Sequence, residues 1–106
     1  MPSRELAAGE TLDALLAEHP QWVVYVSRAE CRVCVSLKPK VADLADRYGI
    51  PMVYLDAELH PAEAGQRVVF AVPTILVFDE GREVGRFSRN LSMLDVERLF
   101  SLMTAA

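Results

Sequence analysis

The stretch WVVYVSRAECRVC, residues 22–34, joins an apolar run to two cysteines spaced Cys-x-x-Cys. Residues 22–26 are apolar without polar alternation, which is typical of a strand buried on both faces. A helical pattern of apolar residues follows Cys34. A strand that leads into Cys-x-x-Cys at the start of a helix is the arrangement that dithiol–disulfide chemistry needs. The stretch therefore predicts both the centre of a sheet and a reactive site.

Strands and helices alternate along the rest of the chain. We expect strands at residues 4–6, 22–27, 52–56, 71–78 and 82–87. We expect helices after Thr11, over 32–48, over 60–70 and after Ser92, where Thr11 and Ser92 supply capping oxygens. The order β-α-β-α-β-α-β-β-α predicts one α/β domain over residues 1–106, with a central mixed sheet flanked by helices on both faces.

Three smaller features refine this prediction. Pro39 falls inside the helix over 32–48, which Gly49 ends. The sequence Asp79-Glu80-Gly81 predicts the turn of a hairpin. Gly85 is expected to mark a β-bulge that lets Val84 and Phe87 both face inward.

Composition and charge exclude several classes of function. The formal net charge of −4 argues against nucleic acid as a partner, because the phosphate backbone selects basic surfaces. No run of 18 apolar residues is present, so we expect no membrane span. Met1-Pro2-Ser3-Arg4-Glu5 opens no secretory signal, and two cysteines are too few for a disulfide scaffold. We expect a cytoplasmic protein whose cysteines are kept for their reactivity.

The two cysteines have different predicted roles. Cys31 falls at the first turn of the helix, where free N–H groups and the helix dipole stabilise a thiolate. Arg32 acts in the same direction and Glu30 opposes it. Cys34 lies three residues on, on the same side of the helix, and reaches the sulfur of Cys31. We expect Cys31 to attack a substrate disulfide and Cys34 to resolve the mixed disulfide, leaving a redox-active Cys31–Cys34 disulfide.

A metal site is the less favoured interpretation of the cysteines. Zinc takes four ligands, and only His19 and His60 could join the two thiolates. His19 is expected near a helix end as a cap or packing residue, and His60 beside Pro61 in a loop. Both are therefore predicted away from the cysteines, and we expect neither a metal nor another cofactor.

With these elements placed, the chain resembles the thioredoxin family over nearly its whole length. The matching features are Cys31-Arg32-Val33-Cys34 after a central strand, Pro39 five residues past Cys34, Val72-Pro73-Thr74 before an apolar strand, and the Asp79-Glu80-Gly81 turn. The resemblance implies the thioredoxin fold and a cis Val72–Pro73 bond, where spacing alone indicates only a strand-entry proline. It also implies a substrate-binding surface beside Cys31 formed by Arg32, Val33, Val72, Pro73 and Thr74.

The chain departs from the usual family pattern around this site. Glu30 stands where thioredoxins have Trp, and Arg32-Val33 where they have Gly-Pro. Tyr25 replaces a buried Asp that handles the proton of the second cysteine, and Tyr54 replaces its Lys partner. Tyrosines are poor bases at neutral pH. We therefore expect a slower resolving step, or proton transfer to Glu30 or water.

The rim of the site is also unusual, because it is charged where thioredoxins are flat and apolar. This difference suggests a narrower set of partners, with small thiols among the candidates. The charged residues are Arg28, Glu30, Arg32 and Arg89, the last in place of a Gly.

The leading functional prediction is a thioredoxin-like thiol–disulfide oxidoreductase that reduces protein disulfides in cell redox homeostasis. Its expected partners are disulfide-containing proteins and an upstream thiol reductant or thioredoxin-reductase-like donor. Two alternatives stay open. One is a glutaredoxin-like reductase of low-molecular-weight mixed disulfides, which needs only Cys31. The other is a non-enzymatic binding module in which the disulfide senses redox state.

Overall fold

A computed structural model describes residues 3–88 and 91–105 of the chain. The elements follow the predicted order β-α-β-α-β-α-β-β-α. Their bounds are β1 Arg4–Glu5, α1 Leu12–Leu16, β2 Gln21–Ser27, α2 Arg32–Arg47, β3 Met52–Asp56, α3 Pro61–Gln66, β4 Thr74–Asp79, β5 Arg82–Phe87 and α4 Met93–Thr104.

The sheet is mixed, with β2 at its centre. The strand order is β1-β3-β2-β4-β5. Strands β1, β3 and β2 run parallel, whereas β4 is antiparallel to both β2 and β5. In this register Tyr25 lies between Tyr54 of β3 and Ile75 of β4. The predicted mixed sheet with a hairpin at one edge is confirmed, as is the central place of β2.

Side chains of β2 divide between two cores, one on each face of the sheet. Trp22, Val24 and Val26 pack with α1 and α3. Val23 and Tyr25 pack on the opposite face with α2 and α4. All five residues are buried, and burial of such apolar side chains stabilises the fold by about 1.5–3 kcal/mol each. The strand that precedes the cysteines is therefore packed against helices on both faces.

Local signals set the helix ends largely as predicted. Thr11 caps α1, because its Oγ1 accepts a hydrogen bond from the N–H of Ala14. Ser92 caps α4 by accepting from the N–H of Asp95. Helix α2 passes through Pro39 and ends before Gly49, which has φ +68°. A positive φ favours glycine because a Cβ would clash there.

Two elements have an end three or more residues away from the predicted position. Helix α3 ends at Gln66 instead of residue 70, and Val68 beyond it adopts φ +58°, which a helix cannot contain. Strand β4 begins at Thr74 instead of residue 71. Pro73 has no N–H to donate to the ladder, so pairing starts after it.

A bulge lies beside Gly85, although its side chains are not arranged as predicted. Val77 pairs with Gly85 and Phe78 with Glu83, so Val84 is the extra residue. Phe87 packs against the core on the α2 and α4 face, but Val84 is exposed. The prediction that Val84 faces inward is wrong. Leu99 of α4 fills the space over this part of β5, and a Cβ on Gly85 would overlap its Cδ2.

Candidate active site

The two cysteines lie at the start of α2, directly after the central strand. Cys31 is the N-cap residue and Cys34 is in the first turn. They form a disulfide bond with their Cα atoms 5.1 Å apart. The N–H of Cys34 donates a hydrogen bond to Sγ of Cys31 at 3.1 Å. Such free N–H groups, together with the helix dipole, stabilise a thiolate on Cys31 after reduction.

Burial distinguishes the two sulfur-bearing residues. Cys31 is half-buried, whereas only 1% of Cys34 is exposed. A molecule that approaches the start of α2 therefore meets Cys31 first. Cys34 lines a separate cavity, described below.

An apolar groove, here called the front groove, lies beside the cysteines. It has a volume of about 490 Å³. Arg28 supplies its charged group, and the peptide bond between Val72 and Pro73 is cis. The lining residues are Arg28, Val33, Leu37, Ala71, Val72, Pro73 and Leu91. Apart from Arg28, every residue of this lining is apolar.

A second space, here called the rear cavity, has Cys34 in its lining. It has a volume of about 400 Å³, which is room for several water molecules at about 30 Å³ each. The charged side chains of its lining are Glu5, Arg28, Lys38 and Asp56, and Ser27 and Tyr54 add hydroxyl groups. Arg28 borders both spaces.

Tyr25 anchors the start of α2 from within the core. Its side chain is fully buried, and its hydroxyl donates a 2.6 Å hydrogen bond to the carbonyl of Cys34. Burial, with a smaller effect of Tyr54, raises the pKa of Tyr25 to about 12. The phenol is therefore neutral at physiological pH and does not act as a base there.

Comparison with known proteins identifies the family. The Thioredoxin family model matches residues 5–102. The chain belongs to the thioredoxin family. Among curated relatives, it is 27% identical to the thioredoxin-like protein YdfQ of Bacillus subtilis (strain 168) over 89 residues, which is 83% of this chain and 80% of that protein.

Solved thioredoxin structures share the architecture. Thioredoxin 1 from Thermosipho africanus TCF52B is 30% identical with a TM-score of 0.73, over 76% of this chain and 91% of that chain. The N21Q mutant thioredoxin from Halobacterium salinarum NRC-1 is 20% identical with a TM-score of 0.87, over 98% and 92%. The thioredoxin fold is thus confirmed. Family membership and the Cys31–Cys34 pair support thiol–disulfide oxidoreductase chemistry.

The residues expected from the thioredoxin resemblance to bind substrate do not all lie in one place. Val33, Val72 and Pro73 line the front groove. Thr74 is buried, and its hydroxyl donates to the carbonyl of Ala71 at 2.6 Å. Arg32 is exposed at the first turn of α2, outside the lining of either space.

The remaining expected modulators also lie in different environments. Glu30 is exposed in the loop before Cys31. Tyr54 lies in the rear cavity with its ring edge-on to Tyr25, at 6.2 Å between ring centres. Its hydroxyl donates to Oγ of Ser3 at 3.1 Å, away from the cysteines. Arg89 lies outside the described residues.

The sequence analysis missed Lys38. Its ammonium lies 3.9 Å from the centre of the Tyr54 ring, inside the rear cavity with Cys34. Lys38 follows Cys34 by four residues in a helix, and this spacing alone puts the two on one face. That signal was available in the sequence.

Neither histidine is near the cysteines. His19 contacts the backbone of Gln21, and His60 is buried with Nε2 2.8 Å from the carbonyl oxygen of Leu6. Within residues 3–88 and 91–105, no three His, Cys, Asp or Glu side chains cluster as metal ligands would. In the same part of the chain, no helix is long and apolar enough to cross a membrane.

Proposed function

We propose that this protein reduces disulfide bonds in other proteins, with Cys31 as the nucleophile and Cys34 as the resolving thiol. The observation that carries the proposal is the apolar front groove, whose lining includes Val33 from between the two cysteines. The groove and Cys31 together would hold an extended segment of a protein with its disulfide close to the attacking sulfur.

The proposed reaction has two exchange steps. First, the Cys31 thiolate attacks one sulfur of the substrate disulfide, so a Cys31–substrate bond forms and the second substrate sulfur leaves as a thiolate. Second, Cys34 loses its proton and attacks the sulfur of Cys31, which releases the first substrate sulfur. The substrate gains two electrons and two protons, and the protein becomes the Cys31–Cys34 disulfide. A dithiol reductant or a thioredoxin-reductase-like donor returns both electrons.

The difference in burial supports this assignment of roles. Cys31 is half-buried at the N-cap and Cys34 is 1% exposed. Only Cys31 meets a large substrate, whereas Cys34 needs to reach only the sulfur of Cys31. We place the reaction in the cytoplasm, where reduced thiols are maintained.

Turnover of a protein disulfide tests the proposal. Reduced protein should cleave the disulfides of insulin repeatedly with dithiothreitol as the electron source. Cys31→Ser should abolish the reaction, and Cys34→Ser should stop it after one mixed disulfide on Cys31. If Cys34→Ser instead retains turnover with small mixed disulfides, the glutaredoxin-like alternative is favoured. If wild-type protein turns over neither substrate, the binding module remains.

A further inference from the structure

The surroundings of the Cys34 thiol differ from the usual thioredoxin pattern. Cys34 is buried beside Cys31, and the space it lines is the rear cavity. Tyr25 occupies the position of the expected base, but its hydroxyl donates to the Cys34 carbonyl. The charged side chains of the rear cavity are then the candidates to favour ionisation of this thiol.

Lys38 is positioned to favour ionisation of the Cys34 thiol. It lies four residues after Cys34 in α2, where side chains are about 5–6 Å apart at their Cβ atoms. The side chain is half-buried, and its ammonium lies 3.9 Å from the centre of the Tyr54 ring. Cation–π attraction holds an ammonium over such a ring. Tyr54 thus fixes a positive charge inside the cavity that Cys34 lines.

The other charged groups around the rear cavity come from three elements. Glu5 belongs to β1, Arg28 to the loop after β2 and Asp56 to β3. Oδ1 of Asp56 accepts the N–H groups of Glu58 and Leu59, which engages that carboxylate in its own turn. Two positive and two negative side chains therefore face the cavity. Of these, only Lys38 is on the same helix face as Cys34.

We propose that Lys38 is a positioning residue for the resolving step, whose ammonium, held over Tyr54, stabilises the Cys34 thiolate in the rear cavity. This inference rests on the proposed dithiol function. In the step, Cys34 releases its proton to water in the cavity while Lys38 keeps its own. The thiolate then forms the bond to Cys31 and the bond from Cys31 to the substrate sulfur breaks.

The size of the expected effect follows from two opposing contributions. Loss of one nearby positive charge raises the pKa of a thiol by about one unit. The thiolate fraction at neutral pH then falls about tenfold. A more basic thiolate is a better nucleophile, with a Brønsted slope of about 0.4–0.5, so the resolving rate falls only about threefold. The pH profile is the more sensitive measurement, because it shifts by the whole unit.

Dithiodipyridine separates the two steps, since it is small and carries no permanent charge. Reduced protein should release one pyridinethione when Cys31 attacks and a second when Cys34 resolves the mixed disulfide. In Lys38→Met we expect the second release to slow about threefold at neutral pH, with its pH profile about one unit more alkaline. The first release should change little. Lys38→Arg should restore the profile.

Lys40→Met is the matched control, because Lys40 is exposed on the same helix and lies outside the rear cavity. Circular dichroism should establish that each variant is folded. The inference is overturned if the second release in Lys38→Met has the wild-type pH profile, or if Lys40→Met shifts it equally. A wild-type protein that releases only one pyridinethione would instead refute the proposed function itself. Failure of the Lys38 inference and failure of the proposed function therefore give different results.

Discussion

The hydroxyl of Tyr25 donates a hydrogen bond of 2.6 Å to the backbone carbonyl of Cys34. This contact joins the central strand to the first turn of α2, and both residues are buried. Thioredoxins usually have a carboxylate at this position in the strand. In this protein the position holds a neutral donor, which bonds to the first turn of α2.

Removal of this hydroxyl should destabilise the protein. Tyr25→Phe keeps the ring but leaves the Cys34 carbonyl without this donor, so the free energy of unfolding should fall by about 1 kcal/mol. Urea denaturation measures the change. Tyr54→Phe is the control, because its hydroxyl bonds to exposed Ser3, and it should lose at most about 0.5 kcal/mol. Equal losses in both variants would contradict a special role of the Tyr25 contact.

The ionisation of Tyr25 should make the free energy of unfolding depend on pH in the alkaline range. The pKa of Tyr25 is raised from 10.0 to about 12, mainly by burial. Its contribution to stability is complete below pH 10 and is lost as pH rises to about 12. The loss amounts to about 2–3 kcal/mol. Urea unfolding between these pH values should show a steeper decline in wild type than in Tyr25→Phe. Parallel declines would exclude Tyr25 as the source.

Tyr48 does not confound that comparison. Its hydroxyl donates to Glu97 at 2.9 Å, and this hydrogen bond raises the pKa of Tyr48. Tyr48 is present in both proteins, so its effect cancels in the difference between them.

Val68→Gly should stabilise the protein. Val68 has φ +58°, a conformation that costs an L-residue about 1–2 kcal/mol. Its side chain is 59% exposed, so little packing is lost. After the entropic penalty of glycine, about 0.5–1 kcal/mol, the net gain should be about 0.5–1 kcal/mol.

The matched control for Val68 is Val84→Gly, in which a 46% exposed valine of β5 is replaced. Val84 has no positive φ to relieve, so this variant should lose about 0.5–1 kcal/mol. Chemical denaturation of both variants gives the comparison. A loss of stability in Val68→Gly would show that its side-chain contacts outweigh the backbone strain.

Gly85→Ala should destabilise the contact between β5 and α4. The new Cβ would overlap Cδ2 of Leu99, so this side chain must move. Overpacking of this kind costs about 1–3 kcal/mol. In the Leu99→Ala background the same glycine substitution should cost far less, which a double-mutant cycle measures. Strict additivity of the two substitutions would mean that the glycine has another role.

Val33→Ser should separate protein substrates from small ones. Val33 is 64% exposed and lines the front groove with Pro73. Loss of about 1 kcal/mol of apolar contact should lower kcat/KM for insulin reduction about fivefold. The reaction with dithiodipyridine, which does not fill the groove, should be unaffected.

Leu102→Ser is the control for Val33. Leu102 is 72% exposed on α4 and lines neither the front groove nor the rear cavity. It should leave both reactions unchanged. An equal effect of Val33→Ser on insulin and on dithiodipyridine would argue against the front groove as the docking surface.

The sequence predicted the elements that depend on local signals. The apolar run of residues 22–26 identified the central strand, and Thr11 and Gly49 identified helix ends. The sequence did not predict features that depend on contacts between residues far apart in the chain. Leu99 determines what fits at Gly85, and no local pattern of β5 contains that information.

In the candidate site, too, the features set by local sequence were predicted, and those set by distant contacts were not. The Cys-x-x-Cys spacing locates both sulfurs, because the chemistry is local to one turn of helix. The burial of Cys34 and the position of Lys38 over Tyr54 depend on how α2 packs against β3. Thr74 has the residue type of a substrate contact, but its hydroxyl donates to the carbonyl of Ala71, three residues before it. Residue type alone does not show which way a side chain points.

The two outer strands have a consequence for self-association. An exposed strand edge can recruit another copy of the chain through unpaired backbone groups. Here β1 is two residues long, and β5 is interrupted by the bulge at Val84. The outer hairpin strand also carries Arg82, Glu83 and Arg86, and Arg86 forms an ion pair with Glu83 at 2.9 Å. Short, bent and charged edges of this kind disfavour strand pairing between copies of the chain.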